Sequence, residues 1–355
     1  MIAQPDIDIV KTVFNIYEIR DSETVTMLYG EPLMDSNSIY GALYGHFARQ
    51  NKVVTLEYHL GEFVLIIGKA KKDNVWVNVG LALATVVTTM VTGALMYGVD
   101  VIASPLEIYK GLPFSFAIMA VLGSHELGHY FVSKLNKIDS SLPYFIPFPL
   151  PPIGTMGAII KQKGPVPSRK ALFDVGISGP LVGLVVSILI TAIGLMLPPV
   201  EYTATAATDV MAMQIQTPIM FDLIASVINP GSTVETINPI AFAGWVGMLV
   251  TVLNMIPVGQ LDGGHVLRSI IGERSDKISK FIPLILMGFG LYATFVMQMQ
   301  GQIWIFWGLL TGLLGSGVHP RPIDDVESVG VARIAVAVIA FILAMMCFTP
   351  FPISV

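Results

Sequence analysis

His125, Glu126 and His129 are of the types that hold a metal ion and move a proton beside it. Histidines four residues apart share one face of an α-helix, so both imidazoles can reach the same ion. Glu126, adjacent to the first, can address a water held by that ion. Two histidines do not complete a catalytic site, which needs a third protein ligand and an open position. The run 254–265 offers Asp262. Pro257 and three glycines interrupt the helix there, which predicts that Asp262 sits on unwound backbone. Unwound backbone at membrane depth is tolerated where it is buried in protein or lines a wet cavity.

These residues stand in an apolar chain. Of its 355 residues 54% are hydrophobic and 13% charged, and the mean hydropathy is +0.71. A soluble domain carries roughly twice that charged fraction, so an ordinary soluble protein is excluded. Seven segments, 75–98, 112–135, 171–197, 240–257, 281–298, 302–317 and 330–349, read as candidate spans, the sixth being short for a full crossing. Two histidines and a carboxylate inside such a span are expensive to bury, and ionisable groups there are functional by default. Nothing resembles a basic nucleic-acid patch. The single cysteine, Cys347, excludes an internal disulfide framework and a multi-cysteine zinc site. The first residues have no basic flank followed by an apolar run, so no cleaved signal peptide is expected.

Residues 1–70 differ from the rest. A helix-like stretch at 36–50 precedes β-branched runs at 53–58 and 63–67 that suggest a hairpin, and an earlier strand is expected near 24–29. His46 and His59 read as surface or hairpin residues. The fold class expected is a polytopic α-helical membrane protein of about six to seven spans. It would carry a re-entrant, proline-rich β segment and a small N-terminal α+β cytoplasmic domain (1–70), with residues 71–355 as the transmembrane domain.

Basic residues set the expected orientation. Lys69, Lys71 and Lys72 precede the first span. Lys161, Lys163, Arg169 and Lys170 lie between the second and third, and Arg268, Arg274, Lys277 and Lys280 between the fourth and fifth. The loop 198–238 holds Glu201, Asp209, Asp222 and Glu235 but no lysine or arginine. A cytoplasmic N-terminus leaves only Lys110 of the 20 basic residues outside, as the positive-inside rule favours. Arg333 would snorkel to the cytoplasmic face, and Asp174 would be interfacial.

HELGH at 125–129 and NMIPVGQLDGGH at 254–265 resemble the two signatures of the site-2 protease family of intramembrane zinc metalloproteases. The stretches GTMGAII (154–160) and SGPLVG (178–183) are similar to that family too, nearest its archaeal and chloroplast branch. The resemblance covers roughly 112–268, the expected catalytic core. It implies that His125, His129 and Asp262 bind one Zn2+ per chain and that Glu126 is the catalytic acid/base. It further implies that Asn254 and Pro257 help hold substrate near the metal. The expected activity is hydrolysis of a peptide bond in or near a transmembrane segment of a single-span or other membrane-protein substrate. Glu126 would activate the zinc-bound water, and the chain would be a multi-pass protein of the cell membrane.

Segment 142–167 holds seven prolines and cannot be one continuous helix. A helical substrate must unwind before its carbonyl is accessible, and a strand edge at Gly157, Ala158 and Ile159 could hold it by strand addition. Gly179 and Gly183 read as a packing pair, and His265 and His319 as loop residues. A metal or proton transporter would need polar residues on both sides of the site; 114–120 and 240–246 offer almost none.

Overall fold

Alternating apolar and polar residues build the N-terminal part of the chain as a sheet. In β1 (Phe14–Asp21), β2 (Val25–Pro32), β3 (Lys52–His59) and β4 (Glu62–Lys69) the order is β1-β2-β4-β3, all antiparallel. Thr26, Leu28 and Gly30 of β2 are buried at the two-residue period of a strand. Helices α1 (Gln4–Lys11) and α2 (Ser36–Arg49) close the sheet through Val10, Ile39, Leu43 and Phe47, which pack on Leu28, Val54 and Leu65. Asp35 caps α2 by accepting from the Ser38 amide at 3.0 Å.

The computed structural model describes the chain except residues 1–2, 23, 60, 70–73, 164–165, 201–213, 231–236, 316–321, 323–324, 326 and 355. Lys71, Lys72, Pro165, Glu201, Asp209, Glu235, His319 and the side chain of His59 therefore lie outside the described residues.

The remainder is mainly helical. The chain runs through α3 (Val75–Met96), α4 (Leu112–Leu135), the short strands β5 (Tyr144–Pro147) and β6 (Thr155–Ile159), and α5 (Arg169–Met196). It continues through β7 (Gln214–Ile215), α6 (Ile219–Ile228), α7 (Pro239–Asn254), α8 (Asp262–Ile271), α9 (Ser275–Phe295), α10 (Gln302–Gly315), α11 (Val331–Met346) and β8 (Ile353–Ser354). Helices α4, α5 and α7 pack on one another around Phe114, Ile118, Phe242 and Trp245.

The helices divide less evenly than the six to seven expected spans. Among the described residues four helical segments are long and apolar enough to cross a membrane: Val75–Met96, Pro105–Leu135, Arg169–Met196 and Asp262–Phe295. Four further apolar helices are shorter. The 16 residues of α7 reach only about 24 Å, less than the roughly 30 Å hydrocarbon thickness, because its helix ends at Asn254. The fifth expected span, 281–298, falls largely on α9, which begins earlier, at Ser275. A 3-10 turn, Gly272–Arg274, joins α8 to α9.

Candidate metal centre

Helix α4 starts with Pro113 in its first turn, where the fixed φ suits a helix and the missing N–H has no role. It then runs unbroken past His125, Glu126 and His129, which are 4%, 8% and 7% exposed. Helix α7 ends at Asn254, and residues 255–261 form turns closed by Val258 N–H to the Ile256 carbonyl (2.8 Å) and Leu261 N–H to the Val258 carbonyl (3.0 Å). Asp262 is then the first residue of α8. This corrects the expectation of unwound backbone at Asp262: the break lies in the residues just before it, and the new helix restarts one position earlier than the two glycines.

The three expected ligands meet. Nε2 of His125 and Nε2 of His129 are 3.2 Å apart, and each is 3.2 Å from Oδ2 of Asp262. Nδ1 of His129 lies 2.8 Å from the Val175 carbonyl oxygen, which can only accept, so that nitrogen carries the hydrogen. In a neutral His129 this leaves Nε2 as a lone pair facing a carboxylate oxygen. Three Lewis-basic atoms converging on one point repel one another unless a cation lies among them. Two imidazoles and a carboxylate are a donor set that zinc accepts, with a fourth position left for water or substrate. The residues fit the ion that the sequence implies.

Helix α5 makes this approach possible. A Cβ on Gly179 would stand 2.1 Å from Nε2 of His129, and one on Gly183 would stand 3.1 Å from Nδ1 of His125. The two glycines are therefore more than helix-packing residues, since they leave room for the imidazoles themselves.

A cavity of about 460 Å³ opens over the three ligands, lined also by Glu126, Asn254, Ala158 and Ile159. The side-chain amide of Asn254 is 3.2 Å from Nε2 of His125. Strand β6 pairs with β5 in the register Tyr144↔Ile159 and Phe145↔Ala158, and the main-chain N–H of Ile160, just beyond it, faces the Glu126 carboxylate. Gly157 and Pro257 lie outside the cavity lining. Gly157 has φ +101°, a conformation other residues rarely adopt, and Pro257 uses its carbonyl to accept from Ser279 Oγ at 3.2 Å.

Sequence reading missed three contributors, the Val175 carbonyl, Gln162 and Gln260, and placed His265 in a loop; all four residues line the cavity. His265 is not a loop residue; it lies on α8 three positions after Asp262, and that spacing was a usable signal. Asp174 and Arg333, read separately from the sequence, pair with each other. Arg333 donates to both Asp174 oxygens at 2.7 and 2.8 Å.

Comparison with known proteins bears on the same core. The profile of peptidase family M50 matches residues 113–297, more than half of the chain. The chain belongs to peptidase family M50. Among its relatives, the probable zinc metalloprotease EGY1, chloroplastic, of Arabidopsis thaliana is 31% identical over 247 residues, 67% of this chain and 43% of the relative. EGY1 of Oryza sativa subsp. japonica is 29% identical over 251 residues (68% and 41%). The probable zinc metalloprotease EGY2, chloroplastic, of Arabidopsis thaliana is 26% identical over 260 residues (70% and 44%). The chain thus spans less than half the length of these relatives. No solved structure matches it.

Proposed function

We propose that the chain is an intramembrane zinc endopeptidase that cleaves a peptide bond in or near a transmembrane segment of a membrane-protein substrate. The observation that carries this reading is the convergence of His125, His129 and Asp262 beside Glu126, in a cavity bordered by a strand. These three residues would hold one Zn2+, which supplies Lewis acidity to a carbonyl oxygen and lowers the pKa of water.

The chain's own groups do the rest. Glu126 accepts the proton of the attacking water and returns it to the departing amide nitrogen. The Val175 carbonyl keeps the His129 ring in one tautomer and orientation, as outer partners of metal-binding histidines do. The Asn254 amide is placed to donate to a carbonyl oxygen held at the centre. Among the described residues β6 has one strand neighbour, β5, and an unwound substrate segment would pair with its other edge along Ala158 and Ile159. Gly157 would set the path of that strand, and Pro257 the break that separates Asn254 from Asp262.

The lysine and arginine pattern supports a multi-pass protein with its N-terminus and the 1–70 unit in the cytoplasm. A cell membrane is the proposed location; the relatives' names specify a chloroplast, and membrane fractionation separates the two.

The test pairs zinc analysis with cleavage of a single-span substrate by detergent-purified protein. Wild type should hold about one zinc per chain and cleave. Glu126→Gln should keep zinc and lose roughly 100- to 10,000-fold in turnover, the usual worth of a general base. Asp262→Ala should lose zinc. Normal turnover by Glu126→Gln would remove the proposed mechanism.

A further inference from the structure

Asp262 rides on α8, a helix of only 10 residues, so whatever holds α8 decides where the carboxylate points. Its far end is held by charge. Arg268, in α8, is 1% exposed, and its Nη2 donates to Oδ2 of Asp325 at 2.5 Å. Arg169, the first residue of α5, donates to the Ser269 carbonyl at 2.7 Å and the Ile270 carbonyl at 2.5 Å. Those carbonyls lie in the last turn of α8, where helical partners run out. Nε of Arg169 also lies 3.9 Å from Oδ1 of Asp325. Glu327 pairs with Lys170, and Val329 is buried against Phe173, Ile177 and Val266. Asp325, Glu327, Val329 and Arg333 between them reach both α5 and α8.

A guanidinium this buried requires a counter-charge, and removing one member of such a pair leaves the other stranded. We propose that Asp325 is a positioning residue for the metal centre. Through Arg268 and Arg169 it clasps α8 onto α5, the helix whose glycines seat the two histidines, and so fixes Asp262 opposite them. Asp325 does not line the cavity and acts only through the two arginines. The inference rests on the reading of His125, His129 and Asp262 as zinc ligands.

The experiment uses the full chain in detergent: wild type, Asp325→Asn, Asp325→Glu, and the double variant Arg268→Met with Asp325→Leu, which removes both charges. Two quantities are read: the rate of zinc loss to a chelator, and amide exchange across 262–271 in the metal-free protein. Asp325→Asn should release zinc roughly tenfold faster, as for other partners outside the ligand set, and exchange faster at 262–271 but not in the N-terminal sheet. Asp325→Glu, which keeps the charge, should recover most of both, whereas the double variant, which lacks the clasp, should not. A folded Asp325→Asn with wild-type zinc loss and wild-type exchange overturns the proposal. If that variant does not fold, the double variant decides: zinc loss several-fold faster than wild type supports the clasp, and wild-type zinc loss overturns it. A wild type that holds no zinc sinks the ligand reading instead, while the exchange measurement still tests the clasp.

Discussion

Two carboxylates, one buried and one largely covered, sit in different parts of this chain, and their surroundings have opposite character. Asp6, in the N-terminal α+β part, is 2% exposed and is met by hydrogen-bond partners: Lys52 Nζ at 2.8 Å, Gln50 Nε2 at 2.7 Å and His46 Nε2 at 2.6 Å. Asp262, in the helical part, faces two imidazole nitrogens at 3.2 Å, and one of these is a lone pair when His129 is neutral. The first carboxylate has its charge answered within the protein. The second is one of three basic atoms directed at a common point. Restricted exposure and a histidine neighbour are common to both, so neither marks a metal site. The distinction lies in whether donors meet acceptors or acceptors meet one another.

The comparison breaks most readily at Gly179. Gly179→Ala should push the His129 ring away from the other two ligands and lower zinc affinity by about 100-fold or more, since a ligand and its orientation go together. Competitive zinc titration measures this, and unchanged affinity would mean that His129 binds nothing. The Asp6 cluster should be untouched by the same substitution.

A smaller effect is expected at the other carboxylate. Burial opposes the charge of Asp6, but the bonds from Lys52, Gln50 and His46 outweigh it and hold the carboxyl down from 3.8 to about 2. A depressed pKa adds stability that is complete above the unfolded value near 4 and is lost as pH falls through about 2. For this shift the contribution is about 2 kcal/mol. Asp6→Asn should therefore loosen the sheet at neutral pH by about that amount and flatten its loss of stability between pH 4 and 2, leaving zinc content at the wild-type level. Amide exchange in β2 and β4 as a function of pH reads both. A fall in zinc would show that the two clusters are coupled.

The mildest change concerns the cavity wall. Ala158→Pro removes one main-chain N–H from β6 without touching a ligand, and should raise KM for a single-span substrate several-fold at unchanged zinc content. An unaltered KM would favour a plain loop over a substrate-binding edge.

Much of the centre was legible before any coordinates. His125 and His129 fall on one face because the α-helical repeat is local, and their position inside an apolar run marked them as costly to bury. The break before Asp262 was visible in Pro257 and the glycines, although its placement was off: glycines 263 and 264 lie inside α8, where α8 packs closely on residues 255–259. Hydropathy marks seven apolar segments, whereas the described residues hold four helices long and apolar enough to cross a membrane, because hydropathy measures apolar length alone. It does not register that α7 stops at Asn254 or that a 3-10 turn joins α8 directly to α9. Arg333 and Asp174 read as two separate interfacial charges because 159 residues separate them along the chain.

Local geometry and composition determined the chemistry: a metal-binding pair, an adjacent carboxylate, a candidate third ligand and a membrane as solvent. Only the tertiary structure brought His129 within 3.2 Å of an aspartate 133 residues away, and supplied the Val175 carbonyl that orients its ring. It also decided that two glycines of α5 make room for the imidazoles and that Asp325 balances Arg268 at the foot of α8. Contacts of that kind depend on which surfaces fit when helices pack, and a helix's own residues specify its exposed face but not the partner that will cover it.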